Sequence, residues 1–271
     1  MKLGYYIKKA ALREDARVLE LLATLRADGH ELYEVRSSAD LVPGMEMLLS
    51  LGGDGTFLCA SRYVAETEIP VLGVQLGRLG FLSENSPAAA VAALRSGCFS
   101  IEEREMLEAR VEGAGDICPY ALNEVSLLRA SAAMIGVDVQ VNGLQLPTYW
   151  ADGLLVSTAS GSTAYNLSAG GPICLPETRV LMVVPVAPHN LNLRPLVIPG
   201  DSRVSLSLHA RDGKAVLSLD NRSHEVGDDV RVEVCAAPFP LRRVRLGKSN
   251  FIDALRDRLF WGKDVRNTSD L

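Results

Sequence analysis

The stretch Leu51–Thr56, LGGDGT, sets three glycines around one carboxylate. An apolar run, Met47-Leu48-Leu49-Ser50-Leu51, enters it, and Phe57, Leu58, Ala60, Ser61 and Val64 leave it at helical spacing. Gly52, Gly53 and Gly55 therefore stand where a strand hands over to a helix. Glycine lets the backbone approach a ligand and adopt φ > 0. The N–H groups of such a turn, backed by a helix start, form a cradle for phosphate. Gly52, Gly53, Gly55 and Thr56 are the candidate phosphate-binding residues. Asp54 is the odd member, because an anion repels phosphate. It makes chemical sense if it holds a divalent cation or takes the proton of an attacking hydroxyl. A plain tight turn with Asp54 as helix cap has the same composition.

Three further stretches carry candidate groups. Gly73–Phe81, GVQLGRLGF, is a second glycine-rich turn that carries Arg78, a candidate cation for phosphate; its glycine spacing is not the dinucleotide fingerprint, and on pattern alone a structural loop is the favoured reading. Asn123-Glu124 interrupts the apolar run Ala121–Leu128. In a regular strand the two side chains point to opposite faces, but at a strand end or bulge both can reach one ligand. An amide beside a carboxylate suits a ribose diol; a solvated strand face is the alternative. Asp152–Tyr165, DGLLVSTASGSTAY, reads as a strand, a small-residue turn and a helix starting near Thr163. Its hydroxyls and free N–H groups suit phosphate or amide ligands, and Tyr165 could stack on a base; an N-cap cluster is the alternative. A serine nucleophile lacks the G-x-S-x-G elbow, and His189 is the only histidine with any claim to serve it. Gly247-Lys248-Ser249 mimics the end of a P-loop, but Arg242 stands where that motif needs glycine. Arg194 and the triplet Asp220-Asn221-Arg222 are weaker candidates for the same cleft.

The elements that must position these groups change in texture along the chain. Leu3–Ile7, Glu31–Val35, Met47–Leu51 and Pro70–Val74 read as strands. Ala10–Asp28, the run after Gly55 and Ser86–Gly97 read as helices. Alternating strands and helices predict a doubly wound parallel sheet with ligands beyond the carboxyl ends of its strands. After Cys98, alternation at Ile101–Val111, Ala121–Leu128, Ile135–Val141, Val204–Leu208, Ala215–Leu219 and Val230–Val234 predicts antiparallel β structure. Asn142-Gly143 and Asp212-Gly213 are hairpin turns. The expected division is an α/β domain over 1–98, a β-sandwich-like nucleotide domain over 99–248, and a C-terminal helix over 249–262 that Ser249 caps and that returns to the first domain.

The 271 residues can bury a substantial core. Lys and Arg number 28 against 33 Asp and Glu, a net charge of −5 with no basic run, so a nucleic-acid surface is not indicated. No apolar stretch approaches membrane-span length, and the first residues turn charged too early for a signal peptide. The five cysteines are scattered, with no C-x-x-C pair, which supports neither a zinc site nor a disulfide framework and fits a reducing cytoplasm.

Taken in order, GGDGTFL at Gly52–Leu58, GRLGFL at Gly77–Leu82, NEV at Asn123–Val125, DGLLVSTASGSTAYNLSAGGP at Asp152–Pro172 and HNLNLRPLVIP at His189–Pro199 resemble the NAD kinase family across nearly the whole chain. Gln75 stands where the family often has asparagine, and Asn221 where many members have Asp-Gly. The resemblance implies transfer of the terminal phosphoryl of ATP, with Mg²⁺ or another divalent cation, to the 2′-hydroxyl of the adenosine ribose of NAD. It also implies an α/β domain with a β-sandwich-like domain, and a homodimer or homotetramer. By position, Asp54 is the catalytic carboxylate and Gly55 its NAD-contacting neighbour. Asn123 and Glu124 hold the adenosine side, Asp152 meets the nicotinamide end, and Thr163, Ala164, Tyr165 and Ser168 line the adenine and ribose region. A GGDG-type kinase of a lipid or sugar hydroxyl, and a non-catalytic NAD(P) sensor on the same fold, are the alternatives.

Overall fold

The computed structural model describes residues 1–262 apart from Arg78, Ala114, Asp116, Lys248 and Ser249. Its α-helices are α1 (Ala16–Ala27), α2 (Asp54–Tyr63), α3 (Pro87–Ser96), α4 (Tyr165–Ser168) and α5 (Phe251–Leu259). The chain divides into two compact units. Met1–Ala60, Ile69–Glu102 and the chain from Arg242 onward form the first; Ser61–Glu68 and Glu103–Leu241 form the second.

The first unit is built on a sheet whose strands lie in the order Glu31–Glu34, Lys2–Tyr6, Met47–Leu51, Val71–Val74, Leu241–Leu246, Phe99–Arg104. The first four pair in parallel, and Arg243 pairs in parallel with Val71. Met47–Leu51 is buried at every position, as an inner strand covered on both faces must be. Val18, Leu21, Leu22 and Leu25 of α1 close the core against Leu3, Leu49, Leu72, Val74 and Val244. The spacing predicts one helix over Ala10–Asp28, whereas the structure has a 3₁₀ turn at Ala10–Glu14 and then α1. The break is Asp15, extended at φ −66° and ψ 126°, whose carboxylate accepts the Arg17 N–H and caps α1. α3 has Ser86 as its N-cap, Pro87 in its first turn and a left-handed Gly97 at its end, as its sequence predicts. α5 starts from Asn250, whose side chain accepts the Asp253 N–H; the expected cap, Ser249, lies outside the described residues.

The second unit is a sandwich of two antiparallel sheets. One runs Leu144–Gln145, Ile135–Val141, Val204–Ala210, Arg231–Ala236, Leu107–Glu112, Tyr120–Ala121; the other runs Leu196–Pro199, Val180–Val186, Gly153–Thr158, Glu124–Arg129, Lys214–Leu219, Arg222–Gly227. Alternate residues such as Val137 and Val139, Val204 and Leu206, Val125 and Leu127, and Leu154 and Val156 meet in one core. Asn142 and Gly143 turn the chain with φ of 51° and 80°, the paired positive angles that favour Asn-Gly in a two-residue hairpin. Gly153–Thr158 is buried throughout, because its outer face is covered too. There Leu155, Met182 and Val184 pack under Tyr165, Ala169 and Cys174. Among the described residues, no helix is long and apolar enough to cross a membrane.

Candidate active site

Two groups of the expected residues form, one in each unit. In the first, Met47–Leu51 ends and α2 begins at Asp54, so the carboxylate sits in the first turn of a helix, where negative charge is favoured. Gly52 has φ +155°, and a Cβ there would run into the Thr56 side chain. Gly53 accepts the N–H groups of Thr56 and Phe57 through its carbonyl, at 2.8 and 3.1 Å. The Asp54 carboxylate reaches across to the second glycine turn. Oδ2 accepts the Phe81 N–H at 2.7 Å, and Oδ1 accepts those of Leu82 and Ser83 at 3.0 and 2.8 Å. One carboxylate thus ties the two glycine-rich turns together. Arg78, assigned to that second turn, lies outside the described residues.

The 81–84 segment is held from behind. Arg243, buried, donates to the Leu82 carbonyl at 3.2 Å, to Glu84 at 2.6 Å and to Glu102 at 2.8 Å. Arg258 of α5 lies over the Phe81 ring at 4.8 Å and bonds the other Glu84 oxygen at 3.3 Å. Phe251 of α5 contacts Phe81 with ring centroids 6.0 Å apart. Gly80 is where this arrangement leaves no room, because a Cβ there would collide with the Asp54 carboxylate. Gly80→Ala is expected to displace that carboxylate and to lower kcat roughly 10- to 100-fold, since small displacements of reacting groups are costly. Turnover at saturating substrates, read beside the melting temperature of the same sample, checks this. A folded variant with full kcat would mean that the seat of Asp54 has no bearing on turnover.

In the second unit, one edge strand ends at Ala121 and the next begins at Glu124. Leu122 and Asn123 fall in the gap, and the backbone of residues 122–124 is held by specific neighbours. Thr158 Oγ donates to the Leu122 carbonyl at 2.7 Å, while Ser157 Oγ and the Thr158 N–H donate to that of Asn123 at 3.1 and 2.9 Å. The Asp220 N–H donates to the Glu124 carbonyl at 2.9 Å. The Asp220 carboxylate accepts the N–H groups of Leu122, Asn123 and Glu124 at 2.9, 2.8 and 3.3 Å. Asn123 and Glu124 are each only 7% exposed. Glu124 Oε2 is buried and has no partner, the state of an acceptor that awaits a donor.

Electrostatics marks the same place. Burial, and then the neighbouring Asp220 charge, push Glu124 up to about 8, against the opposing N–H of Tyr165. Asp220 is raised as well by burial of its carboxyl, opposed by its three N–H donors and by Arg222. The Tyr165 hydroxyl is raised by burial and by the Asp152 and Glu124 charges, so these three expected residues share one neighbourhood. Asp152 also forms an ion pair with Arg129 at 3.0 Å.

The helix expected from Thr163 is much shorter than its sequence suggests. Ser160–Thr163 is a 3₁₀ turn, and α4 is one turn, Tyr165–Ser168. The reason is Asn166, fully buried, whose amide donates to the carbonyls of Ser162 and Pro172 and holds the chain in a knot. Thr163 and Ala164 are half-buried beside Tyr165, and Ser168 is exposed at the helix end. Arg194, considered for phosphate, donates instead to the carbonyls of Leu191 and Leu193. Arg222 donates to those of Cys118 and Tyr120. Asp220 is the participant the sequence marks least: it reads as a residue after a strand. Its signal is its position in the two-residue turn between two alternating runs, opposite the interruption at Asn123-Glu124.

A glycine turn with a carboxylate at a helix start suits phosphoryl transfer, and the same chain carries a buried amide–carboxylate pair on a β-sandwich. Residues 13–98 match the family model described as the ATP-NAD kinase N-terminal domain, and 122–246 the ATP-NAD kinase C-terminal domain. An NAD kinase of Flavobacterium psychrophilum is 39% identical over 240 residues, 85% of this chain and 81% of that protein. One of Porphyromonas gingivalis is 42% identical over 226 residues, 82% and 78%. The chain belongs to the NAD kinase family. Its fold is that of yeast NADH kinase in complex with NADH, with a TM-score of 0.88, 24% identity and coverage of 99% and 90% of the two chains. It also matches an Archaeoglobus fulgidus NAD kinase in complex with ATP, at 0.77, 24%, 96% and 98%. Family membership sets aside the kinase of a lipid or sugar hydroxyl that the glycine turn alone left open.

Proposed function

We infer that the chain is an NAD kinase that transfers the terminal phosphoryl group of ATP to the 2′-hydroxyl of the adenosine ribose of NAD, giving NADP. The observation that carries this reading is one chain matching both family domains while holding Asp54 in a glycine turn and, on the β unit, a buried Glu124 whose Oε2 has no partner. In the reaction the ribose oxygen bonds to the terminal phosphorus, the bond from that phosphorus to the ADP oxygen breaks, and the hydroxyl proton leaves to a base. We assign that base to Asp54. Gly52, Gly53, Gly55 and Thr56 receive phosphate, with Arg78 as a further cation. Asn123 and Glu124 receive ribose hydroxyls, while Asp152, Thr163, Ala164, Tyr165 and Ser168 complete the nucleotide site.

Phosphoryl transfer asks mainly for positioning and charge neutralisation. Among the described residues no group of three or more His, Cys, Asp or Glu could hold a metal. Asp54 would be the protein ligand of a divalent cation that accompanies ATP, since a carboxylate oxygen accommodates more than one partner, and such a cation would neutralise phosphate charge. Incubation with Mg-ATP and NAD, followed by an NADP-specific dehydrogenase, is expected to reveal NADP. If none forms with Mg²⁺ and either ATP or polyphosphate, the chain is a nucleotide sensor instead.

A further inference from the structure

We propose that Asp220 is a positioning residue for NAD: by taking the N–H groups of Leu122, Asn123 and Glu124 on one carboxylate, it shapes the break where the chain leaves Tyr120–Ala121 of one sheet for Glu124–Arg129 of the other, and so sets how Asn123 and Glu124 are presented. The proposal rests on the reading of those two residues as the ribose-binding pair. A regular strand would send their side chains to opposite faces, and a buried crossing between two sheets leaves N–H groups that water cannot reach. Leu122, Asn123 and Glu124 are 0%, 7% and 7% exposed, so their donors need an acceptor inside the protein. Asp220 supplies it at 2.8 to 3.3 Å. Three consecutive N–H groups converging on an anion form a nest; here the anion is the protein's own.

The location of Asp220 makes this possible. Lys214–Leu219 pairs with Glu124–Arg129 in a register that sets Leu219 opposite Val125, so the next residue on one strand stands beside the break that precedes the other. Asp220 also adopts a left-handed backbone with φ 52°, a conformation that aspartate and asparagine tolerate better than most residues. That geometry turns the carboxyl back onto the sheet while the Asp220 N–H closes on the Glu124 carbonyl. The bonded neighbours at the carbonyl side of the break, Ser157 and Thr158, are neutral. The titratable or charged groups facing the pair are Arg222, toward Asp220, and Tyr165, toward Glu124, with Asp152 facing Tyr165. Asp220 thus holds the Glu124 backbone in place, and its charge adds to burial in keeping the Glu124 proton on.

Asp220→Asn tests this while keeping the left-handed turn. Its amide nitrogen cannot accept an N–H, so the break loosens, and the charge next to Glu124 is gone. The expected result is a rise of roughly tenfold or more in the NAD KM, with the ATP KM unchanged. The acid limb of kcat/KM for NAD, set by Glu124 ionisation, is expected to move to lower pH. Asp220→Ala should raise the NAD KM further. A structural role alone would lower the melting temperature and the fraction of active enzyme but leave the NAD KM and the acid limb where they are; that result overturns the proposal, as does failure of both variants to fold at low temperature. Glu124→Gln is the control for the underlying reading. If it leaves NAD affinity and the acid limb untouched, the ribose-binding assignment has failed, which is distinguishable from an effect confined to Asp220.

Discussion

Asp54→Asn is expected to lower kcat by roughly 10²–10⁴, the usual loss when a general base is removed, with NAD affinity little changed. The loss is larger if Asp54 also holds the divalent cation. A second consequence follows from the three N–H groups on this carboxylate. Asparagine has one acceptor oxygen, enough for the Leu82 and Ser83 N–H groups that share Oδ1, and its amide then faces the Phe81 N–H, donor against donor. An orphaned buried donor costs about 1–3 kcal/mol, so the variant should also melt at lower temperature. Steady-state turnover at saturating substrates and calorimetry with NAD separate the two effects. A variant that is destabilised yet keeps most of its turnover would reduce Asp54 to a tie between two turns.

Glu124→Gln is expected to trade function for stability, with the balance set by pH. Below about pH 4.5, the ordinary value of this carboxyl, Glu124 is protonated in both folded and unfolded chains, and burial separates no charge from water. Between there and about 8 the unfolded chain gives up the proton while the folded one keeps it, so stability falls as pH rises; above about 8 the loss is complete. The full cost is on the order of 3–5 kcal/mol at about 1.4 kcal/mol per unit. Glutamine never ionises, so the variant's melting temperature should exceed the parent's by an amount that grows from pH 5 to pH 9. Above about pH 8, where Glu124 is ionised, losing a charge-assisted hydrogen bond, worth roughly 1.5–3 kcal/mol, should weaken NAD binding about tenfold to 150-fold. Thermal scans across pH and calorimetry with NAD read the two halves. A melting advantage that does not change with pH would show that Glu124 is not the buried acid described above.

Where a local rule governs, the sequence alone is informative. The glycine turn at Gly52–Gly55, the Ser86–Gly97 helix and the Asn142-Gly143 hairpin follow from dihedral limits and capping, which act within a few residues. The grip of Asp54 on Phe81, Leu82 and Ser83 spans nearly 30 residues and depends on two parallel strands standing side by side; no spacing encodes it. Alternation along Ala121–Leu128 would run one strand through Asn123 and Glu124, whereas the chain crosses between two sheets there, with its N–H groups on the carboxylate of Asp220, almost 100 residues further on. Val180–Val186 carries no alternation because both of its faces are covered, and a short continuous apolar run does not distinguish strand from helix. The helix expected at Thr163 is cut short by the Asn166 amide, a tertiary choice that helix propensity does not contain.

The strand Leu241–Leu246 lies inside the first sheet, between Val71–Val74 and Phe99–Arg104, although the whole β-sandwich separates it from them in the chain. Its Arg243 bears on Leu82 and Glu84, beside the residues that seat Asp54. During synthesis the ribosome would deliver every residue of the sandwich before that inner strand emerges. Until then Val71–Val74 is an unpaired edge, Phe99–Arg104 stands apart from the other strands, and Leu82 and Glu84 lack Arg243. The second unit, contiguous from Glu103 to Leu241 apart from the short piece Ser61–Glu68, has no such wait. The unit whose chain begins first is therefore the one that closes last, because its sheet is complete only with that late insertion.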